Sequence, residues 1–144
     1  MIRIAQAHLE RIHGLGEQAY PGECCGLLVG HSTPDGNISV TKIVPSANVA
    51  SPPGDDRFEV DPKVRFDTMR ELANSDEAIV GHYHSHPDQP ARPSQTDLSM
   101  AFEPELVWLI TAVTQGKAER TLAWRLNRDT GTIRDVAMEI GEPA

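Results

Sequence analysis

Cysteine, positive charge and long apolar runs are all scarce in this chain. Its only cysteines, Cys24 and Cys25, are adjacent. Neighbouring cysteines cannot be bridged without straining the peptide between them, so no disulfide framework is expected and a reducing, cytoplasmic setting fits. Lys and Arg number 13 against 21 Asp and Glu, a formal net charge of −8. That balance disfavours a broad electrostatic hold on nucleic acid or on anionic lipid, and neither is expected as a partner. The longest apolar-leaning run, LVWLITAV at 106–113, is far short of the roughly 20 residues that cross a bilayer. Met1, Ile2 and Arg3 do not open a basic segment followed by an apolar one, so no secretory signal is expected. Repeats, low-complexity tracts and linker-like stretches are missing as well. The 144 residues therefore read as one domain, 1–144, long enough to bury roughly 68–70% of its unfolded surface.

What the chain does contain is a regular alternation of patterns. Ile4, Leu9, Ile12 and Leu15 fall at helical spacing, which predicts a first helix from about Gln6 toward Tyr20, ended by Pro21 and Gly22. CCGLLVG and ISVTKIVP read as paired strands around the turn residues of STPDGN. SANVASPPGDD is an aperiodic loop, RFEV is short and extended, and Asp61 followed by Pro62 is a helix cap with proline just inside, opening DPKVRFDTMRELANSD. Beyond it come a strand, AIVGHYHSH, and a short helix, SQTDLSMAF. The strands LVWLITAV, TLAWRLN and TIRDVAMEI follow, the last two joined by a Thr130–Gly131 turn. Strands with interspersed helices predict a mixed α/β (α+β) domain, its helices packed on one curved sheet.

Half of the six histidines lie in GHYHSHPDQPARPSQTD, residues 81–97. Alternate residues of a strand share a face, so His82, His84 and His86 form a row with steps of about 6–7 Å. One metal ion, about 2.0–2.1 Å from each ligand nitrogen, is most easily shared by two neighbours of that row, and a third, harder ligand must come from elsewhere. Pro87 ends the strand, and the loop beyond it can return Asp97 to the strand's end. Taken alone, Ser94 and Asp97 in SQTD are a helix cap close to a capping box, and a lone strand histidine is an ordinary core or surface residue. Together, two histidines on one face and a carboxylate at a helix start make a His/His/Asp set with one position open, as in catalytic zinc sites. Capping and ligation are compatible.

HSHPDQPARPSQTD resembles the His-x-His-Pro and Ser-x-x-Asp signature of the JAB1/MPN/Mov34 (JAMM) metallopeptidases. The resemblance continues through YPGECCGLLVG, VPSANVA, RFEVDP and IVGHYHSHP, in the family's order, from about Glu23 to Trp108. It implies a JAB1/MPN domain with a cytidine-deaminase-like architecture. It further implies zinc held by His84, His86 and Asp97, Glu23 as general base, and Ser94 as donor to the developing oxyanion; His82 falls outside the ligand set. Such a site hydrolyses an amide bond after the C-terminal Gly-Gly of a ubiquitin-like protein. Only eight residues separate Asp97 from Leu106, leaving no room for the insertion that selects polyubiquitin linkages. The compact form resembles prokaryotic members acting on ubiquitin-like sulfur-carrier proteins. Members of the RadC branch carry asparagine between the histidines, where this chain has Ser85. Cys24 and Cys25 read as buried strand residues rather than nucleophiles. Two readings of other classes stand beside this one. A non-haem iron oxygenase also uses two histidines and a carboxylate, and iron content would reveal it. A catalytically inactive scaffold of the same fold is argued against by the presence of all four chemical positions.

Overall fold

A computed structural model describes residues 1–50, 57–99, 106–127 and 130–141. Its elements in chain order are β1 (Ile2–Ile4), α1 (Gln6–Ala19), β2 (Cys25–Ser32), β3 (Ile38–Ser46), α2 (Pro62–Glu71), β4 (Ala78–Pro87), α3 (Gln95–Ser99), β5 (Val107–Thr114), β6 (Lys117–Leu126), β7 (Ile133–Val136) and β8 (Met138–Ile140). The eight strands form one mixed sheet in the order β7-β6-β5-β4-β2-β3-β1-β8. β7 and β8 hold opposite ends of that order, yet only Ala137 lies between them in sequence. The sheet therefore curls until its two ends nearly meet.

The central strands are covered on both faces, which is why β5 (VWLITAVT) and most of β2 are buried without polar alternation. On one face α1 lays Leu9, Ile12 and Gly16 against the sheet, and the main core gathers Ile12, Leu28, Tyr83, Leu109 and Ala123. On the other, Cys25, Leu27 and Val60 pack with Phe58 and Val64 beneath α2. The Asp61 side chain accepts from the Lys63 amide at 2.9 Å, with Pro62 at the helix start, so the expected cap is present. Gly30 sits at a register shift of the β2–β3 ladder. A Cβ there would lie 1.9 Å from the Ser39 carbonyl oxygen, which excludes any other residue.

β4 and β5 run parallel, with His84 opposite Ile110 and His86 opposite Ala112. Parallel neighbours need a crossover, and here it is the loop after Pro87 together with α3. The crossover begins at the C-terminal end of β4, the end where open α/β sheets carry their sites. One expectation is corrected: TIRDVAMEI is two strands, because Ile133–Val136 pairs with β6 and Met138–Ile140 with β1. In the short extended segment RFEV, Val60 makes a bridge to Asn48. The segment 100–102, included in the expected third helix, lies outside the described residues.

Candidate metal centre

Strand alternation sends His82, His84 and His86 to the α2 side of the sheet, and Tyr83 and Ser85 toward α1. His84 and His86 are almost fully buried. The loop from Asp88 to Ser94 is tied down along its length. The Asp88 carboxylate accepts from the Tyr20 hydroxyl at 2.5 Å and the Gln115 amide at 2.8 Å. The Trp124 indole donates to the Ala91 carbonyl at 2.8 Å, and Ala91 is buried against Ile110 and Ala112. This tethering delivers α3, and with it Asp97, to the end of β4.

Asp97 Oδ2 lies 3.2 Å from His84 Nε2 and 2.9 Å from His86 Nε2, and the two nitrogens are 3.2 Å apart. The same oxygen accepts from the Ser94 amide at 2.9 Å, while Ser94 Oγ accepts from the Asp97 amide at 3.0 Å. The capping box and the convergence on the histidines are thus one arrangement. Glu23, 4% exposed, brings a carboxylate oxygen to the same place: donor atoms of Glu23, His84, His86 and Asp97 all lie within 4.8 Å of one another. The structure so brings together four of the five expected residues directly, with Ser94 holding the fifth place through its bonds to Asp97.

Electrostatics favour a cation there. His84 is pushed down from its ordinary pKa by burial, which outweighs the nearby Asp97 carboxylate. Burial opposes ionisation of Asp97, but the hydrogen bonds with His84 and His86 overcome it and hold the carboxyl well below the usual range. The site therefore gathers a neutral His84 imidazole and an ionised Asp97 carboxylate, with His86 beside them, in a buried corner. Edges of 2.9–3.2 Å among the three atoms approach the roughly 3.3 Å edge of a tetrahedron built from bonds of about 2.0–2.1 Å. Two nitrogens and a carboxylate oxygen also suit a zinc-like divalent ion, so this set can bind a metal.

His82 stands one strand step back and is not among the converging groups. It tilts against Phe58, His84 and Trp108, with ring centroids 5.4, 5.8 and 5.4 Å away. Phe58 stacks on His84 at 4.0 Å. Nothing in the sequence marks Phe58 for that place, since it follows an aperiodic loop. Cys24 and Cys25 turn to opposite faces, Cys24 toward Gly16 of α1 and Cys25 toward Val60 beneath α2. Burial pushes the Cys25 thiol up to about 12 and raises that of Cys24, so neither is an activated nucleophile.

Comparison with known proteins agrees with this architecture. A model of the prokaryotic homologs of the JAB domain matches residues 5–127. The chain belongs to that family. Over 90 residues it is 37% identical to a desampylase of Haloferax volcanii, a match covering 62% of this chain and 62% of that relative. The chain thus spans less than two thirds of the desampylase's length. Over 126 residues, 88% of this chain and 78% of the relative, it is 26% identical to a CysO-cysteine peptidase of Mycobacterium tuberculosis. Among solved structures, a protein of Desulfitobacterium hafniense superposes with a TM-score of 0.84 at 27% identity, covering 99% of this chain and 94% of the other. A protein of Salinibacter ruber gives 0.72 at 34% identity, covering 99% and 92%. A JAB1/MPN domain protein of Archaeoglobus fulgidus shares the fold, with a TM-score of 0.60 at 20% identity over 98% of each chain. No helix among the described residues of this JAB-family chain is long and apolar enough to cross a membrane.

Proposed function

We propose that the protein is a zinc-dependent peptidase that hydrolyses the amide bond after the C-terminal Gly-Gly of a ubiquitin-like sulfur-carrier protein. The observation that carries this reading is the buried convergence of Glu23, His84, His86 and Asp97. The relatives named desampylase and CysO-cysteine peptidase support the choice of substrate class.

His84 and His86, through Nε2, and Asp97, through Oδ2, would hold the ion. When bound, zinc lowers the pKa of a coordinated water toward about 7 and polarises the scissile carbonyl. Glu23, outside that trio in this reading, would take the proton of the attacking water and return it to the leaving amine. Ser94 Oγ already accepts from the Asp97 amide, which leaves its hydroxyl proton to donate to the oxyanion that forms on the substrate.

A cavity of about 440 Å³ adjoins the cluster, with His84 and Asp97 on its inner wall. Phe58, Val60, Phe66, Met69 and Trp108 form its apolar wall, with Arg57, Glu59 and Arg65 also on its lining, and Phe66 and Met69 are 60% and 57% exposed. An extended tail would lie across this cavity, where glycines pass and side chains would not. The test is incubation of metal-loaded protein with a ubiquitin-like carrier extended past Gly-Gly by cysteine, by a peptide or through lysine, read by intact mass. A product ending at Gly-Gly, abolished by chelator and restored by zinc, supports the reading. Intact carrier after incubation with fully loaded protein, or cleavage indifferent to chelator, contradicts it.

A further inference from the structure

Glu23 precedes the first residue of β2, and the ladder to β4 begins only with Cys25 opposite His84. Sheet pairing of its own residue therefore does not fix the direction in which Glu23 projects. Two side chains remote in sequence hold its peptide group instead. Ser85 Oγ accepts from the Cys24 amide at 2.8 Å, and Asn48 Nδ2 donates to the Glu23 carbonyl at 3.2 Å. The Glu23 carbonyl and the Cys24 amide are the two polar ends of one planar peptide unit. Held at both ends, that plane cannot rotate, which places the Glu23 Cα and narrows the directions its Cβ can take.

Each holder is itself fixed. Ser85 is fully buried, and its own amide donates to the Cys24 carbonyl at 3.1 Å. Behind it, α1 leaves no slack: a Cβ on Gly16 would lie 3.4 Å from Ser85 Cβ and 3.1 Å from Val113 Cγ2. Asn48 Oδ1 accepts from the amides of Ala50 and Glu59 at 3.1 and 3.0 Å, and its Nδ2 donates a second time, to the Arg57 carbonyl at 3.1 Å. Only one orientation of the side-chain amide satisfies all four bonds. Ser85 also sits between the two converging histidines, facing away from them, so the backbone that presents His84 and His86 carries the clamp for Glu23.

We propose that Ser85 and Asn48 are a positioning pair, clamping the Glu23–Cys24 peptide group so that the Glu23 carboxylate is aimed at the His84–His86–Asp97 cluster. This rests on the reading of Glu23 as the base. A misplacement of about 1 Å in a reacting group costs on the order of 10²-fold in rate, which sets the scale of the effect.

The test compares Ser85→Ala, Asn48→Ala, the double variant and Ser85→Cys with wild type. Ser85→Ala is expected to stay folded and hold its zinc, while native-state exchange of the Cys24 amide accelerates at least tenfold. Its kcat on a Gly-Gly-extended carrier is expected to fall roughly 10- to 100-fold, with KM within about twofold. Ser85→Cys, which keeps an acceptor atom in nearly the same volume, recovers part of the lost logarithm of kcat. Because the two clamps act on one peptide plane, the double variant is expected to lose little more than the worse single. A kcat within twofold of wild type alongside accelerated exchange overturns the proposal. So do independent losses that multiply in the double variant, or loss of zinc in step with activity. If Asn48→Ala does not fold, the two Ser85 variants decide. A metal-loaded wild type that cleaves no carrier refutes the functional reading instead. The clamp is then judged from the Cys24 amide alone, where unchanged exchange in Ser85→Ala overturns it.

Discussion

The carbonyl oxygen of Pro90 lies 2.8 Å from Nδ1 of His86, and this contact decides which face of the imidazole meets the cluster. A carbonyl only accepts, so Nδ1 carries the proton, and in the neutral ring Nε2 presents a lone pair 2.9 Å from Asp97 Oδ2. That lone pair and the carboxylate oxygen are held together either by a proton on His84 Nε2, 3.2 Å from both, or by a cation lying among the three atoms.

Purified protein is accordingly expected to bind one zinc per chain. The His84→Ala, His86→Ala double variant should lose it, and Asp97→Asn should weaken it by at least tenfold, as removal of a charged ligand does. His82→Ala should retain most of the metal, being outside the convergence. Native mass spectrometry gives the stoichiometries directly, and full occupancy in the double variant would refute the ligand assignment.

Acidification should destabilise the metal-free protein well before carboxylates titrate. Burial pushes His82 down to about 3, with lesser contributions from the charges of His84 and Arg65, and burial lowers His84 as well. The unfolded chain takes up these protons near pH 6.5 while the folded one does not, so the stabilisation is complete above that pH and is lost below it. The slope is about 1.4 kcal/mol per pH unit for each such histidine, or roughly 2 kcal/mol from His82 between pH 6.5 and 5. Thermal melts of chelated protein at pH 7.5 and 5.0 should show a clear drop in Tm; an unchanged or higher value at pH 5.0 counts against it.

Tyr83 offers a stability test away from the site. Its ring is fully buried, lying so close over Gly26 that a Cβ there would be 2.4 Å from it. Its hydroxyl has no hydrogen-bond partner among the described residues. Removing an unpaired buried hydroxyl relieves about 1 kcal/mol. Tyr83→Phe should therefore raise Tm by about 3 °C, measured by calorimetry at neutral pH. A lower Tm would mean that the hydroxyl is satisfied.

The parts of this fold that were legible in the sequence are those governed by local pattern. The spacing of Leu9, Ile12 and Leu15 gave α1 within a residue at its C-terminal end, and Asp61–Pro62 marked the start of α2. The alternation through His82, His84 and His86 placed two donors on one face of β4. What remained hidden depends on distant pairing. Ile2–Ile4 is too short for periodicity and becomes a strand through β3 and β8. The break at Ala137 exists because the curled sheet passes the chain from one of its ends to the other. In the site, geometry argued for two neighbouring histidines of the row with Asp97, whereas the choice of His84 and His86, and Glu23, which is chemically anonymous before a strand, came from family resemblance. The grip of Ser85 and Asn48 on its peptide group had no local signal, since it arises only when β2, β4 and the Asn48–Val60 bridge meet.

Substitution of Glu23 by glutamine tests the account most directly, because it separates metal binding from proton transfer. Glutamine keeps the shape and removes the carboxylate that would move the proton, so Glu23→Gln should keep its fold and its zinc and still bind the carrier tail. Hydrolysis of a Gly-Gly-extended carrier, followed by intact mass, should fall at least roughly 10²–10⁴-fold, the range for losing a positioned acid–base group. Cleavage at near wild-type rate by zinc-loaded Glu23→Gln would contradict the account and make Glu23 a structural carboxylate.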